Sequence, residues 1–272
     1  MSCCSTRYPI LLLHGAGFRD HERLCYWGRI PKTLEKHGAR IYYGHQDARG
    51  TVERNAAFIK ANIEKILAET GCEKINIIAH SKGGLEARYI ISSLGMAEKV
   101  ASLTTIATPH RGSKTVDLLC RLPKSAFRFT AFFADRFCQM LGDEEPDFYT
   151  VGRAFSTESM EAFNEQNPDA PGVYYQSYAG AMRSPFSDGF LFVPCLVVRR
   201  IEGENDGLVT PASAMWGNYR GVLRGATRRG VSHADEVDAR RMNFTRKARE
   251  GGVSDIRQVY VGIVSELKQM GF

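Results

Sequence analysis

Tyr8–Leu13, "YPILLL", is a continuous apolar run that ends in the glycine loop "HGAG", the pattern of a buried strand followed by a turn. Ile30–Lys36 fits a short helix with Pro31 in its first turn, and Ala39–Gly44, "ARIYYG", predicts a second strand. Thr51–Glu69 then carries Ala57, Ile59, Ile63, Ile66 and Leu67 at helical spacing. Ile75–Ile78 predicts a third strand, Leu85–Leu94 a helix, and "VASLTTIAT", Val100–Thr108, a further strand. Strands alternating with amphipathic helices predict βαβ units and a mostly parallel central sheet flanked by helices.

The pattern changes after Gly112. From Val116 to Leu141 the chain is aromatic and cationic, with Phe127, Phe129, Phe132, Phe133 and Phe137 among Arg121, Lys124, Arg128 and Arg136. Pro123 divides what reads as two short helices, and the acidic "GDEEPD" follows at Gly142–Asp147. This stretch is too polar for the sheet and too apolar for a loop, so it reads as a helical insertion at about 114–153. "VYYQSYAG" (Val173–Gly180) and "LFVPCLVV" (Leu191–Val198) restore strand character, and "QVYVGIVSELKQMGF" (Gln258–Phe272) predicts a closing helix. Without repeats or a low-complexity linker, residues 1–272 are expected to form one α/β domain.

Composition narrows the functional classes. The 272 residues are 43% hydrophobic and 24% charged, enough apolar material for a sizeable core. The net charge of +6 comes from Lys and Arg interspersed with acids, which argues against nucleic-acid binding but is compatible with an anionic lipid surface. Seven cysteines without CxxC or zinc spacing read as reduced, mostly buried thiols. No apolar stretch approaches the roughly 20 residues of a membrane span. No signal-peptide pattern is visible either, so a cytoplasmic location is expected, although a secreted chain trimmed of its leader would look the same.

The chemistry centres on "INIIAHSKGGLEARYI", Ile75–Ile90. A serine on a tight strand-to-helix turn projects its hydroxyl above the sheet, and the crowding demands small residues two before and two after it. Ala79 and Gly83 meet that demand around Ser81, and Gly84 lets the helix pack closely. A serine hydroxyl needs a base, and the base an orienting acid; in this context they follow in the order Ser, Asp or Glu, His. Of seven histidines only His233 lies far downstream, and Asp206 precedes it in a loop after "VVRRIEGEN". Ser81, Asp206 and His233 are therefore the candidate triad. Two backbone N–H groups are needed for the developing oxyanion: that of Lys82, after the serine, and that of Ala16, in the "HGAG" loop. His14 reads as a brace for that loop.

Together, "YPILLLHGAGFRD", "INIIAHSKGGLEARYI", "SLTTIATPHRGS", "NDGLV" and "SHADEV" resemble the bacterial true lipases, α/β-hydrolases that cleave triacylglycerols. The likeness covers roughly residues 8–113 and 203–243. It implies the α/β-hydrolase fold, the same triad and oxyanion donors, and a lid formed by Val116–Leu141 that opens onto a lipid–water interface. Those lipases also carry a structural calcium on two aspartates and two backbone carbonyls near the catalytic histidine. Asp235 matches one carboxylate, and the carbonyls would fall near Ala239 and Asn243. At the other carboxylate this chain has Pro185, and Asp188 substitutes only with a shift of register, which tips the expectation against calcium. Ala79 also departs from the commoner glycine.

The expectation is thus a serine ester hydrolase of lipase type that requires no cofactor for its chemistry. A short-chain esterase, thioesterase or acyltransferase would use the same machinery. A non-catalytic acyl-binding module is the alternative from another class.

Overall fold

In β1 (Ile10–Leu13), Ile10 and Leu12 enter one hydrophobic core while Leu11 and Leu13 enter another on the opposite face. That period of two, with all four residues buried, is what a central strand covered on both faces requires. The computed structural model describes residues 2–16, 26–48, 50–121, 153–225, 229–241 and 252–272. Within them β2 (Ile41–Tyr43), β3 (Ile75–His80), β4 (Val100–Ile106), β5 (Tyr174–Ala181) and β6 (Asn218–Arg224) join β1 in one sheet. The strand order is β2-β1-β3-β4-β5-β6, and every pairing is parallel.

Helices α1 (Ile30–Lys36) and α8 (Ile256–Gln269) cover one face, where Ile30, Leu34, Tyr260 and Ile263 meet Ile10, Leu12 and Ile78. On the other face, α2 (Val52–Thr70) and α3 (Lys82–Ile91) bury Ile59, Ile63, Ile66 and Ile90 against Leu11, Leu13 and Ile77. Each such fully buried side chain contributes about 1.5–3 kcal/mol relative to exposure. The Thr51 side chain caps α2 by accepting from the Arg54 N–H at 3.3 Å, and Gly71 ends the helix in the left-handed conformation.

The remaining α-helices among the described residues are α4 (Lys114–Arg121), α5 (Thr157–Gln166), α6 (Phe192–Ile201) and the single turn α7 (Pro211–Ala214). The segment expected as a lid falls largely outside the described residues, which hold only α4 and the chain from 153 onward. One prediction is corrected: Leu191–Val198 is not a strand but the start of α6. An eight-residue apolar run has no period to separate the two, and Pro194 is tolerated because it stands in the helix's first turn. Among the described residues, no helix is long and apolar enough to cross a membrane.

In this order the chain runs from β1 outward to β2, then returns across β1 to β3. The ends of β1 and β3 therefore border the point where successive connections diverge, the crevice in which open parallel sheets bind ligands.

Candidate active site

Ser81 stands at the C-terminal end of β3 with φ 54° and ψ −128°, a conformation few non-glycine residues adopt. Its N–H donates to the Ile106 carbonyl at 2.9 Å, and its own carbonyl accepts from Gly84 N–H at 3.1 Å. A Cβ at Gly83 would lie 2.6 Å from the carbonyl oxygens of Leu13 and His14. The helix after the serine thus touches the backbone that leaves β1, and only glycine permits the approach. Gly15 has the matching constraint from the other side, since a Cβ there would lie 2.7 Å from Ser81 Cβ. The loop after β1 consequently runs directly against the serine, with exposed Ala16 next in the chain. As the first residue of α3, Lys82 has an N–H without an acceptor in its own helix. His14 lies buried with its ring nitrogens 2.8 and 3.1 Å from the carbonyl oxygens of Gly15 and Gln46, bracing this loop.

The bulky polar residues flanking Ser81 both point inward. Lys82 pairs with Glu86 at 2.8 Å and donates to the Gly50 carbonyl at 2.7 Å, while burial pushes the Glu86 carboxyl upward despite that pairing. His80 lies 2.7 Å through Nδ1 from the Tyr26 hydroxyl and 2.9 Å through Nε2 from Glu236.

Asp206 and His233, brought by loops that follow α6 and β6, meet with Nδ1 2.8 Å from Oδ2. The His233 N–H also donates to the Asp206 carbonyl at 2.9 Å. Asp206 is fully buried, and its second oxygen accepts from the N–H groups of Leu208 and Val209 at 2.8 Å each, which fixes the carboxylate. An Nδ1–H directed at this carboxylate leaves Nε2 free to accept a proton. The His233 ring lies 4.4 Å from that of His80, centroid to centroid, which sets it beside the residue preceding Ser81.

Behind this pair sits a second carboxyl that the sequence reading passed over. Glu236 is wholly buried, with Oε2 2.9 Å from His80 and 3.6 Å from His233. Burial, reinforced by the negative charges of Asp206 and Asp235, holds its pKa well above the ordinary carboxylate value. Burial, then the neighbouring His233, holds His80 well below the ordinary imidazole value. Both directions favour an uncharged pair. The available signal was the three-residue spacing from His233, which a tight turn closes: Glu236 N–H donates to the Ser232 carbonyl at 3.1 Å.

Asp188 and Asp235 are also brought together, but around a guanidinium. Arg240 donates from Nε and Nη2 to the two oxygens of Asp235 at 2.9 and 2.5 Å, and Nη1 lies 3.4 Å from Asp188 Oδ2. Calcium would need these carboxylate oxygens among its six to eight ligands at about 2.3–2.6 Å, in the space the guanidinium fills. This donor set does not fit calcium. Asn243 lies outside the described residues.

The "TPHRGS" segment leads into α4. Glu202, at the end of α6, accepts from Ser113 Oγ at 2.6 Å and from Thr115 N–H and Oγ1 at 2.8 and 2.7 Å, capping α4. His110, fully buried, stacks on Trp216 and lies 2.9 Å from Thr105 Oγ1.

A parallel sheet with a strained serine elbow is the architecture of an α/β-hydrolase. The fold is shared with a metagenomic carboxyl esterase at TM-score 0.70 and 18% identity, covering 97% of this chain and 76% of that one. It is shared also with the mature form of a Bacillus licheniformis lipase at TM-score 0.67 and 19% identity, covering 96% and 92%. In sequence the chain is 31% identical to triacylglycerol lipase 2 of Saccharomyces cerevisiae, over 91% of this chain and 74% of the relative. It is 30% identical to a triacylglycerol lipase of Vibrio cholerae, over 86% and 80%. Residues 9–163 match the family model described as palmitoyl protein thioesterase. The chain belongs to the lipase family of α/β-hydrolases and is a serine ester hydrolase.

Proposed function

We propose that Ser81, Asp206 and His233 form the catalytic triad of an acyl-ester hydrolase whose substrates are triacylglycerols or related lipid esters. The observation that carries the reading is the 2.8 Å pairing of His233 with buried Asp206, beside the strained elbow that presents Ser81. In this mechanism His233 Nε2 takes the Ser81 proton as Oγ attacks the ester carbonyl. The N–H groups of Ala16 and Lys82 stabilise the oxyanion, a contribution worth about a hundredfold or more in rate for one such donor. As the tetrahedral intermediate collapses, the ester C–O bond breaks and His233 protonates the leaving alkoxide. Water, deprotonated by His233, then attacks the acyl-enzyme and releases the carboxylic acid and Ser81. The lipid part of the proposal rests on the names of the relatives, triacylglycerol lipases of a yeast and a bacterium.

The test is hydrolysis of p-nitrophenyl esters from acetate to palmitate, by wild type and Ser81→Ala, with a fluorophosphonate to label the serine. Serine-dependent turnover that rises with chain length is expected. Turnover restricted to acetate and butyrate would replace the lipase by a short-chain esterase, and activity retained in Ser81→Ala would overturn the triad. The match to the palmitoyl protein thioesterase model favours one second reading, in which the leaving group is a thiolate. An oxygen ester and a thioester of the same acyl chain, compared by kcat/KM, separate the two.

A further inference from the structure

We infer that Arg240 is a built-in cation that does mechanically what a bound metal would do, tying the loop that carries His233 to the turn at 185–188. This rests on the reading of His233 as the catalytic base only for its effect on rate, not for the tie itself.

The tie is built from buried groups. Asp188 and Asp235 have side chains 1% and 3% exposed. Between them, Ser232 Oγ donates to Asp188 Oδ2 at 2.8 Å, and Ser232 N–H donates to Asp235 Oδ2 at 3.1 Å. Arg240 closes the figure with its fork on Asp235, Nη1 toward Asp188, and a 2.9 Å bond from Nη1 to the Ser187 carbonyl. His233 lies inside this knot, between Ser232 and Asp235. Two buried carboxylates this close repel strongly unless a positive charge stands between them. A guanidinium suits the position because its planar fork serves one carboxylate with two parallel bonds and still reaches a second acceptor. Carried by the chain five residues after Asp235, it is supplied at folding and cannot dissociate.

The consequence is an enzyme whose stability and activity are indifferent to calcium and to chelators. Removing the arginine side chain takes from two buried carboxylates the guanidinium that stands between them, and leaves the oxygen-rich surroundings that a hard divalent cation accepts. Arg240→Ala is therefore expected to gain the calcium dependence that the wild type lacks.

The experiment compares wild type, Arg240→Ala and Arg240→Lys by thermal melting, by calorimetric titration with calcium chloride, and by ester hydrolysis in chelator or in millimolar calcium. The wild type is expected to bind no calcium and to melt identically in both buffers. Arg240→Ala is expected to melt lower in chelator, with kcat reduced about tenfold to a hundredfold and KM little changed, as a displaced base predicts. Calcium should restore part of both losses, and magnesium, which demands tighter octahedral geometry, should restore less. Arg240→Lys should fall between, keeping the charge without the fork. Stoichiometric calcium binding by the wild type, or its destabilisation by chelator, would overturn the inference, and this arm decides even if Arg240→Ala does not fold. A folded Arg240→Ala with unchanged melting and kcat, or one that calcium fails to restore, would also overturn it. Because melting and titration need no catalysis, they judge the tie even if Ser81→Ala disproves the triad.

Discussion

The ring of His80 lies against the ring of His233, with centroids 4.4 Å apart and planes tilted by 49°. His80 is itself held by Tyr26 and Glu236, so the residue before the serine serves as the wall that positions the proposed base. Replacing His80 with Ala should remove that wall and take one hydrogen-bond partner each from Tyr26 and Glu236. A stability loss of about 3 kcal/mol is expected, read as melting or denaturant midpoint. A folded His80→Ala with unaltered kcat would refute the positioning role.

The orienting bond between Asp206 and His233 can be tested without changing shape. Asp206→Asn should keep the fold but reverse the donor preference at Nδ1, lowering kcat by about three to four orders of magnitude. Fluorophosphonate labelling of Ser81 should slow in parallel. Rapid labelling in a folded Asp206→Asn would mean that another group orients His233.

The uncharged Glu236–His80 pair gives stability a pH signature. With its folded pKa raised, Glu236 contributes stability fully below the ordinary carboxylate value and loses it as pH rises through the folded value. His80, with its folded pKa lowered, contributes fully above the ordinary imidazole value and loses it as pH falls through the folded value. Glu236→Gln, an isosteric neutral substitute, should therefore flatten the fall in melting temperature as pH rises above the ordinary carboxylate value, and leave the contribution of His80 in place. Identical slopes for wild type and variant over that rise in pH would show that Glu236 is charged in the fold.

Two glycines should respond oppositely to the same substitution. Gly83→Ala would force a methyl to 2.6 Å from two carbonyl oxygens and should destabilise by about 2 kcal/mol, with loss of activity. Gly262, within α8, faces no atom within 4 Å, so Gly262→Ala should stabilise by about 0.5–1 kcal/mol at unchanged activity. Denaturant unfolding of both variants would show whether the close approach at Gly83 governs the elbow.

Relief of strain supplies the last prediction. Ser81→Gly, permitted at φ 54°, should melt above Ser81→Ala by the equivalent of about 1 kcal/mol, since both lack the hydroxyl and only one keeps a Cβ. Equal melting temperatures would place the elbow's cost elsewhere.

The parts legible in the sequence were those governed by short-range rules. Tyr8–Leu13 and Ile75–Ile78 read as buried strands because continuous apolar runs between turn signals have few other uses. α2 was visible through the spacing of Ile59, Ile63 and Ile66. β6 escaped because Arg220, Gly221 and Arg224 break the alternation, and Gly221 at φ 105° lies where the register with β5 shifts. At the candidate site, the proposed triad of Ser81, Asp206 and His233 could be named from motif and order. Glu236, Tyr26 and Arg240 could not, because their importance comes from distances that only folding creates, such as Tyr26 to His80 across 54 residues.

Among the described residues the sheet ends at β2 and β6, and these margins differ from its centre. β2 offers only three residues, while β6 turns Arg220 and Arg224 outward and pairs them with Glu266 and Glu204. Neither margin is a long, flat, apolar rail on which a strand from another molecule could continue the ladder. A hydrolase whose buried strands are as sticky as "YPILLL" and "INIIAH" therefore carries its own protection against cross-molecular sheet growth once folded. The exposed interval is the one before β2 and β6 have docked.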